Sequence, residues 1–524
     1  MTVTDTDPSV ADGLAGLMDR AARAHPDQVV ADGTETLTYA DLAQRSRTMA
    51  TAFARHGVRA GDRVLVYTGK SVGALAALFA AVRIGAIAVP LAGNLKDRHL
   101  NHMAEDAQPG LMVVDTLERR RRGIAATSHT GAPVRTLGEL GATTETPVHE
   151  PSPHAPAVIF YTSGSTGWPK GVIASHANLL AGVDSMRQVL GQTPGDTVLV
   201  LLPLSFDAGF NQAITALAAG ARLRLAEFVF PASAVATAAE AGTTSLTGVP
   251  PLWRQLLSVD WPADARRNLR QCASTGGQMT ADLAEQLRSL VPSAQLVAMY
   301  GFTEAFRGAW FRRDLGRSRP AGALGAPIPH ARLAVIDERG EPCPPNEPGE
   351  IVQAGALVTL GYWNNPAATA QRFADVPWGT GERVRVARSG DLGYTTPDGE
   401  IVYTGRMDEM IKTSGYRVSP AEIEDVARAS GLVAEAVAVG LPDTERGEIV
   451  ALAVSYATEP SDDGALLRHL RRELPNHMVP RFVQGLTRLP ALANGKIDRQ
   501  AVRESLLASA DDAARPAANA WRTP

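Results

Sequence analysis

The sequence predicts an α/β protein with a large N-terminal domain of helix-covered parallel sheets, a β-rich subdomain behind it and a small α+β C-terminal domain. Three observations predict this. Strand-like and helix-like segments alternate along the first part of the chain, and such alternation implies parallel sheets covered by helices. After Gly322 short strands split by Gly and Pro turns take over, which suggests antiparallel pairing. After Met410 a helix–strand–strand–helix order fits a separate compact unit. A chain of 524 residues also exceeds one core, since domains hold on the order of 100–250 residues.

Taken in order, residues 14–24 read as a helix, 37–39 as a short strand, 40–56 as an amphipathic helix and 63–67 as a buried strand. The alanine-rich stretch 72–89 reads as one buried helix; Arg83 interrupts it, and it falls short of the roughly 20 apolar residues that span a bilayer. Strands at 111–114, 158–161 and 198–202 continue the alternation, and 141–156, rich in Thr, Pro and His, reads as a surface linker. The later strands are 333–336, 350–352 and 401–403. The closing unit has a helix at 421–429, strands at 433–440 and 449–456, and a helix at 464–473. The Ala-, Asp- and Arg-rich tail, 506–524, reads as disordered.

Composition excludes several classes. Hydrophobic residues make up 45% and charged residues 20%, ordinary for a globular protein. A net charge of −4 provides no basic field, so no nucleic-acid partner is expected. Cys272 and Cys343 are far apart without a flanking His cluster, so neither a disulfide framework nor a zinc site is expected, and a cytoplasmic location fits. The polar, acidic start, Met1 to Pro8, is no signal peptide.

The strongest motif runs from Tyr161 through Thr162, Ser163, Gly164, Ser165, Thr166, Gly167 and Trp168 to Lys170. An apolar strand enters a loop of glycines and hydroxyls that ends in a lysine. Glycines let backbone N–H groups approach an anion, hydroxyls add donors, and Lys170 adds charge, which suits a polyphosphate. The spacing is not that of a Walker loop.

This segment resembles the signature loop of the adenylate-forming superfamily, which includes acyl-CoA synthetases, peptide-synthetase adenylation domains and luciferases. Four further segments resemble that family's motifs in the same order: Tyr300-Gly-Phe-Thr-Glu304, Ser389-Gly-Asp391-Leu-Gly-Tyr394, Tyr403 through Arg417, and Asn494-Gly-Lys496-Ile-Asp-Arg499. The wording from Met407 to Glu424 is similar to ligases associated with exosortase and with actinobacterial secondary metabolism. The resemblance implies a large domain over residues 1–407 and a small mobile domain over 408–505 hinged at Asp408. It also implies ATP, Mg²⁺ and coenzyme A as cofactors or substrates, with a monomer or homodimer as the assembly.

The resemblance further assigns roles. Glu304 would hold Mg²⁺ against the ATP phosphates, and Thr303 and Lys170 would bind them. Tyr300 with Gly301 would pack on adenine, with Gly276, Gly277 and Gln278 as the other wall. Asp391 would accept the ribose hydroxyl protons, supported by Arg406. Lys496 would stabilise charge as a carboxylate attacks the α-phosphorus. After rotation about Asp408, Gly415 would let a pantetheine arm pass and Arg417 would meet a nucleotide phosphate.

The expected acid pocket comprises Phe206, Asp207, Phe210, Gly301, Phe302 and Ala305, with Phe306 beside them. Short-acid enzymes of the family carry a blocking Trp at the position of Gly301, so a long or bulky acid is expected. Ser419 to Glu424 resembles the acyl-CoA synthetase wording, and no carrier-protein domain follows Lys496, which favours coenzyme A. Two alternatives stay open. Ser205-Phe206-Asp207 resembles the segment where amino-acid activating domains use Asp to hold an α-ammonium group, so a stand-alone enzyme loading an amino or aryl acid onto a carrier protein is one. The other rests on Trp168, which stands where the family carries Lys, Arg or Thr. Its indole cannot neutralise a triphosphate and its bulk could cover the pyrophosphate path, so ATP-dependent adenylation is expected to be weakened and, at the extreme, only thioesterification of a preformed acyl-AMP would remain.

Overall fold

The computed structural model describes residues 13–514 apart from 94, 96, 142–151, 163–168, 314–319, 321, 380–381, 408, 414–415, 444–446, 458–461, 475–477 and 493–495. The chain divides into two compact units. The first takes residues up to 320, with 324–334 and 352–389; the second takes 321–323, 335–351 and everything from 390.

Two large sheets form the first unit. One has nine strands in the order Ala326–Pro327, Ala309–Arg312, Gln295–Tyr300, Gln271–Ser274, Ser245–Gly248, Thr197–Val200, Arg222–Leu225, Val29–Ala31 and Thr36–Thr38. Its central pairs are parallel. The other has seven strands, in the order Gly361–Tyr362, Lys170–Ser175, Pro156–Thr162, Ile87–Ala92, Arg63–Thr68, Leu111–Val114 and Val134–Thr136. Here the expected all-parallel pattern is mixed, because Pro156–Thr162 turns back on itself to pair with Lys170–Ser175 antiparallel.

The helix Val72–Arg83 is buried along its whole length and belongs to the largest core cluster. Each large side chain in it, such as Leu75 or Phe79, contributes on the order of 1.5–3 kcal/mol by leaving water. Arg83 is tolerated because Asp19 receives its Nη1 at 2.7 Å and its Nη2 at 3.0 Å. The single helix expected over 72–89 is corrected: Gly85 turns with φ +73°, and Ile87–Ala92 continues as a strand. A left-handed glycine is a common helix stop, and the β-branched residues beyond it suit a sheet. Likewise Tyr39 opens the helix Tyr39–Arg55 and does not end a strand, because Thr38 and Asp41 form a reciprocal capping box.

The second unit contains a five-stranded sheet in which Tyr416–Val418, Ile411–Thr413, Gly447–Tyr456 and Val433–Asp443 follow one another and Phe482–Gly485 pairs with Gly447–Tyr456. It also holds the hairpin that joins residues 391–395 to Ile401–Arg406. The helix Arg499–Ala514 corrects the expected disordered tail from residue 506. Val502 and Leu506 are buried against Val437 and Ala451, which anchors that helix; residues 515–524 lie outside the described ones.

Candidate active site

Parallel register collects the candidate residues of the first unit. Ser245–Gly248, Gln271–Ser274 and Gln295–Tyr300 run in one direction with Thr197–Val200. The segments after their carboxyl ends therefore emerge at one edge of the sheet, where open α/β folds bind ligands. Asp207 follows Thr197–Val200, Gly276, Gly277 and Gln278 follow Gln271–Ser274, and Gly301 to Arg307 follow Gln295–Tyr300. Gly276 has φ +70°, so its turn favours glycine. A Cβ on Gly277 would lie 3.2 Å from Pro250 Cγ.

The antiparallel strands Pro156–Thr162 and Lys170–Ser175 pair Thr162 with Lys170, and Gly361–Tyr362 adds an outer strand beside them. Lys170 Nζ then lies 5.6 Å from the centroid of the Tyr362 ring, within range of a cation–π contact. The Tyr362 hydroxyl donates to Glu304 Oε1, and Arg372 Nε approaches the same oxygen at 3.2 Å. Burial and the Glu304 charge push the Tyr362 hydroxyl far above its ordinary range, so it stays a donor. The Glu304 carbonyl is fixed by the Thr359 N–H at 3.0 Å and the Thr359 hydroxyl at 2.9 Å. Among the described residues no three His, Cys, Asp or Glu gather as a metal cage. One held carboxylate fits Mg²⁺, which prefers few protein ligands beside phosphate oxygens.

Asp207, expected in the acid pocket, lies in a buried cluster of polar groups. Its Oδ1 accepts from the Thr303 hydroxyl at 3.0 Å, and its Oδ2 lies 3.2 Å from Arg307 Nη1. Asp207 is 2% and Arg307 6% exposed, so this is a buried ion pair. Burial pulls the Arg307 guanidinium below its usual value, with Asp207 opposing.

Three expected pocket residues are corrected. Gly301 leaves no empty channel: a Cβ there would sit 2.1 Å from Phe306 O and 2.8 Å from Arg307 Cα, so folded-back backbone occupies the space. Phe306 makes that fold with φ +52°, a conformation costly for an aromatic residue. Phe210 is a core residue, 5.6 Å edge-on from Phe160, and Ala305 packs into the cluster of Val358, Phe373 and Ala387. Phe206 and Phe302 are only partly buried. Phe302 packs edge-on to Tyr300 at 6.2 Å with Arg372 over its ring at 5.6 Å.

In the second unit the strands pair Asp391 directly with Arg406, whose Nη1 is 3.2 Å from Asp391 Oδ1. Lys496 is exposed on a turn closed by the Leu492 N–H to the Lys496 carbonyl at 2.7 Å and the Asp498 N–H to the Pro490 carbonyl at 2.9 Å. Ser163 to Trp168, Asp408 and Gly415 lie outside the described residues, and so does the side chain of Arg417. Sequence reasoning missed Arg307, Tyr362 and Arg372, since no local pattern marks them.

Helix-flanked sheets that bring Lys170 beside Tyr362, and Tyr362 onto Glu304, fit the class of adenylate-forming enzymes. The chain belongs to the AMP-binding enzyme family: residues 18–363 match its model, and residues 422–496 match the AMP-binding enzyme C-terminal domain. Tyrocidine synthase 3 of Brevibacillus parabrevis is 31% identical over 93% of the chain, which spans 8% of that protein. Enterobactin synthase component F of Escherichia coli O157:H7 is 32% identical over 93% of the chain, here 39% of the relative. The chain thus spans well under half the length of these relatives. Among solved structures, ATP-bound MatB from Rhodopseudomonas palustris superposes with a TM-score of 0.83 at 27% identity, covering 94% of this chain and 98% of that one. The o-succinylbenzoate CoA synthetase of Bacillus subtilis with its acyl-adenylate shares the fold, with a TM-score of 0.80 at 24% identity, covering 93% and 97%.

Proposed function

We propose that this enzyme activates a carboxylic acid that lacks an α-ammonium group, and passes the acyl group to coenzyme A. The observation that carries the choice of acid is the Asp207–Arg307 pair. A carboxylate already neutralised by a buried guanidinium has no net charge left for an ammonium group, and burying a further cation beside Arg307 would be repulsive.

In this reading the acid attacks the α-phosphorus of ATP as a carboxylate, already ionised at neutral pH, and pyrophosphate leaves. Lys496 stabilises the charge that gathers between the two anions. Lys170 and Thr303 hold phosphate oxygens, Tyr300, Gly276, Gly277 and Gln278 flank adenine, and Asp391 with Arg406 binds ribose. Glu304 would hold Mg²⁺, which neutralises phosphate charge when bound. In the second step a thiol sulfur attacks the acyl carbonyl and AMP leaves. The small domain turns about Asp408 between the steps, with Gly415 and Arg417 serving the pantetheine arm and its nucleotide. Coenzyme A as acceptor is supported by the wording from Ser419 to Glu424. A carrier-protein thiol is the second reading, favoured by the peptide-synthetase relatives.

A mass-spectrometric screen of acids with ATP, scored for acyl-AMP and then for thioester with either coenzyme A or a pantetheinylated carrier protein, tests this. Acyl-CoA from acids without an amino group is expected. Turnover of α-amino acids alone would overturn the choice of acid, and thioester only on the carrier would overturn the acceptor. Pyrophosphate exchange in the wild type and in Trp168→Lys separates a full enzyme from a thioesterification-only one.

A further inference from the structure

A network at the foot of the Lys496 turn has no part in the roles above. Arg499 opens the helix Arg499–Ala514, three residues beyond Lys496. Its Nη1 lies 2.7 Å from Glu424 Oε1 and its Nη2 donates to Glu424 Oε2 at 3.0 Å. This two-pronged pair fixes direction as well as distance. Ala438 completes it from both sides: its N–H donates to Glu424 Oε1 at 2.9 Å, and its carbonyl accepts from Arg499 Nη1 at 2.9 Å. The remaining guanidinium nitrogen, Nε, lies 3.2 Å from Glu409 Oε2. One side chain therefore joins the helix Pro420–Ala429, the strand Val433–Asp443, the last helix and the residue that follows position 408.

Such a junction matters because a catalytic group acts only when the chain that carries it is held in place. We infer that Arg499 is a positioning residue for Lys496, fastening the lysine turn to Glu409 and to the core of the second unit. This rests on the proposed role of Lys496. On one side Arg499 grips Glu409; on the other, the backbone bonds from Leu492 to Lys496 and from Asp498 to Pro490 hold the lysine turn. The Asp498 carboxylate also caps the last helix by accepting the Ala501 N–H at 3.0 Å.

Glu409→Gln tests this, because it leaves the Glu424–Arg499 pair and hence the unit's core intact. Pyrophosphate exchange would be measured with the acid giving the strongest signal in the screen above. Its kcat is expected to fall roughly 10-fold, with KM for ATP moving less than about 2-fold, as for a misplaced catalytic group. Lys496→Ala sets the reference, and adding Glu409→Gln to it should change nothing further. Amide exchange at Leu492 and Asp498, read without ligand, should rise in Glu409→Gln. A wild-type kcat in Glu409→Gln overturns the inference, as does an equal fall in the Lys496→Ala background. Unimpaired exchange in Lys496→Ala alone sinks the role of the lysine itself, and it appears with Glu409 untouched, so the two failures are told apart.

Discussion

Removing the carboxylate of Asp207 should unfold the first unit more easily before it changes which acid is bound. Arg307 is 6% exposed, so Asp207→Ala would leave its guanidinium buried without this carboxylate. Its Nε has no hydrogen-bond partner among the described residues, and its Nη1 keeps only the Phe306 carbonyl, at 3.5 Å. Breaking one side of a buried pair costs about 3–5 kcal/mol, because the partner is left as an uncompensated charge. With an unfolding entropy of about 2.1 cal/mol/K per residue, a unit of several hundred residues should lose about 5 °C in Tm. The double variant Asp207→Ala, Arg307→Met removes both charges and should recover most of that loss, since apolar replacement of a whole buried pair is often neutral. Calorimetry of the wild type, both single variants and the double variant closes the cycle and isolates the coupling. The rival account, in which Asp207 waits for an α-ammonium group, expects an unchanged Tm and a raised KM for an amino acid. A Tm within about 1 °C of wild type in Asp207→Ala would refute the pairing argument, given the several degrees expected.

Tyr362→Phe removes the hydroxyl that holds Glu304; losing a hydrogen bond to a charged group costs about 1.5–3 kcal/mol, so the Mg²⁺ concentration for half-maximal pyrophosphate exchange should rise roughly 10–100-fold. Gly301→Ala places a Cβ 2.1 Å from the Phe306 carbonyl oxygen, so it should lower Tm or soluble yield, whereas an unchanged Tm would restore the empty-channel idea. Lys70 donates to the carbonyls of Val200 at 3.0 Å and Ala226 at 2.6 Å, and burial pushes its ammonium down to about 7 from 10.5, with Glu227 opposing. Between those two values the unfolded chain binds the proton that the folded chain has released, so stability should rise with pH by up to about 1.4 kcal/mol per unit; below pH 7 both states are protonated and the slope vanishes. Denaturant midpoints from pH 6 to 10 should flatten in Lys70→Met, and parallel profiles would contradict this.

What the sequence disclosed was whatever is written locally. The alternation of apolar strands and helices foretold both large sheets, and Lys170, Glu304, Asp391 and Lys496 each sit inside a recognisable run of neighbours. Gly85 was readable as a helix stop, but the alanine run around it disguised the turn. The pairing of Asp207 with Arg307 was not readable, because the two are brought together only by the order of strands in the nine-stranded sheet. Glu304 with Tyr362 and Arg372 was equally unreadable, since Tyr362 sits on the edge strand of the seven-stranded sheet and Arg372 ends the helix that follows it. Gly301 shows a different limit: a missing side chain in the sequence is not a missing volume in space, since backbone from Phe306 and Arg307 fills it.

In the proposed function the Thr303 hydroxyl would link the acid pocket to the phosphate site. Its single proton goes to Asp207 Oδ1 at 3.0 Å. To donate to a phosphate oxygen, as the adenylation reading requires, it must release that bond. Asp207 is not then stranded, because Arg307 remains on its other oxygen at 3.2 Å. The exchange swaps one hydrogen bond to an anion for another, each worth about 1.5–3 kcal/mol, so the two nearly cancel. A hydroxyl that can turn either way at little net cost would report nucleotide occupancy to the floor of the acid pocket. Without Arg307 the same turn would take a hydrogen bond from a buried carboxylate with no guanidinium opposite it. In the proposed reading the guanidinium therefore serves twice: it compensates the buried carboxylate, and it lets Thr303 turn toward a phosphate.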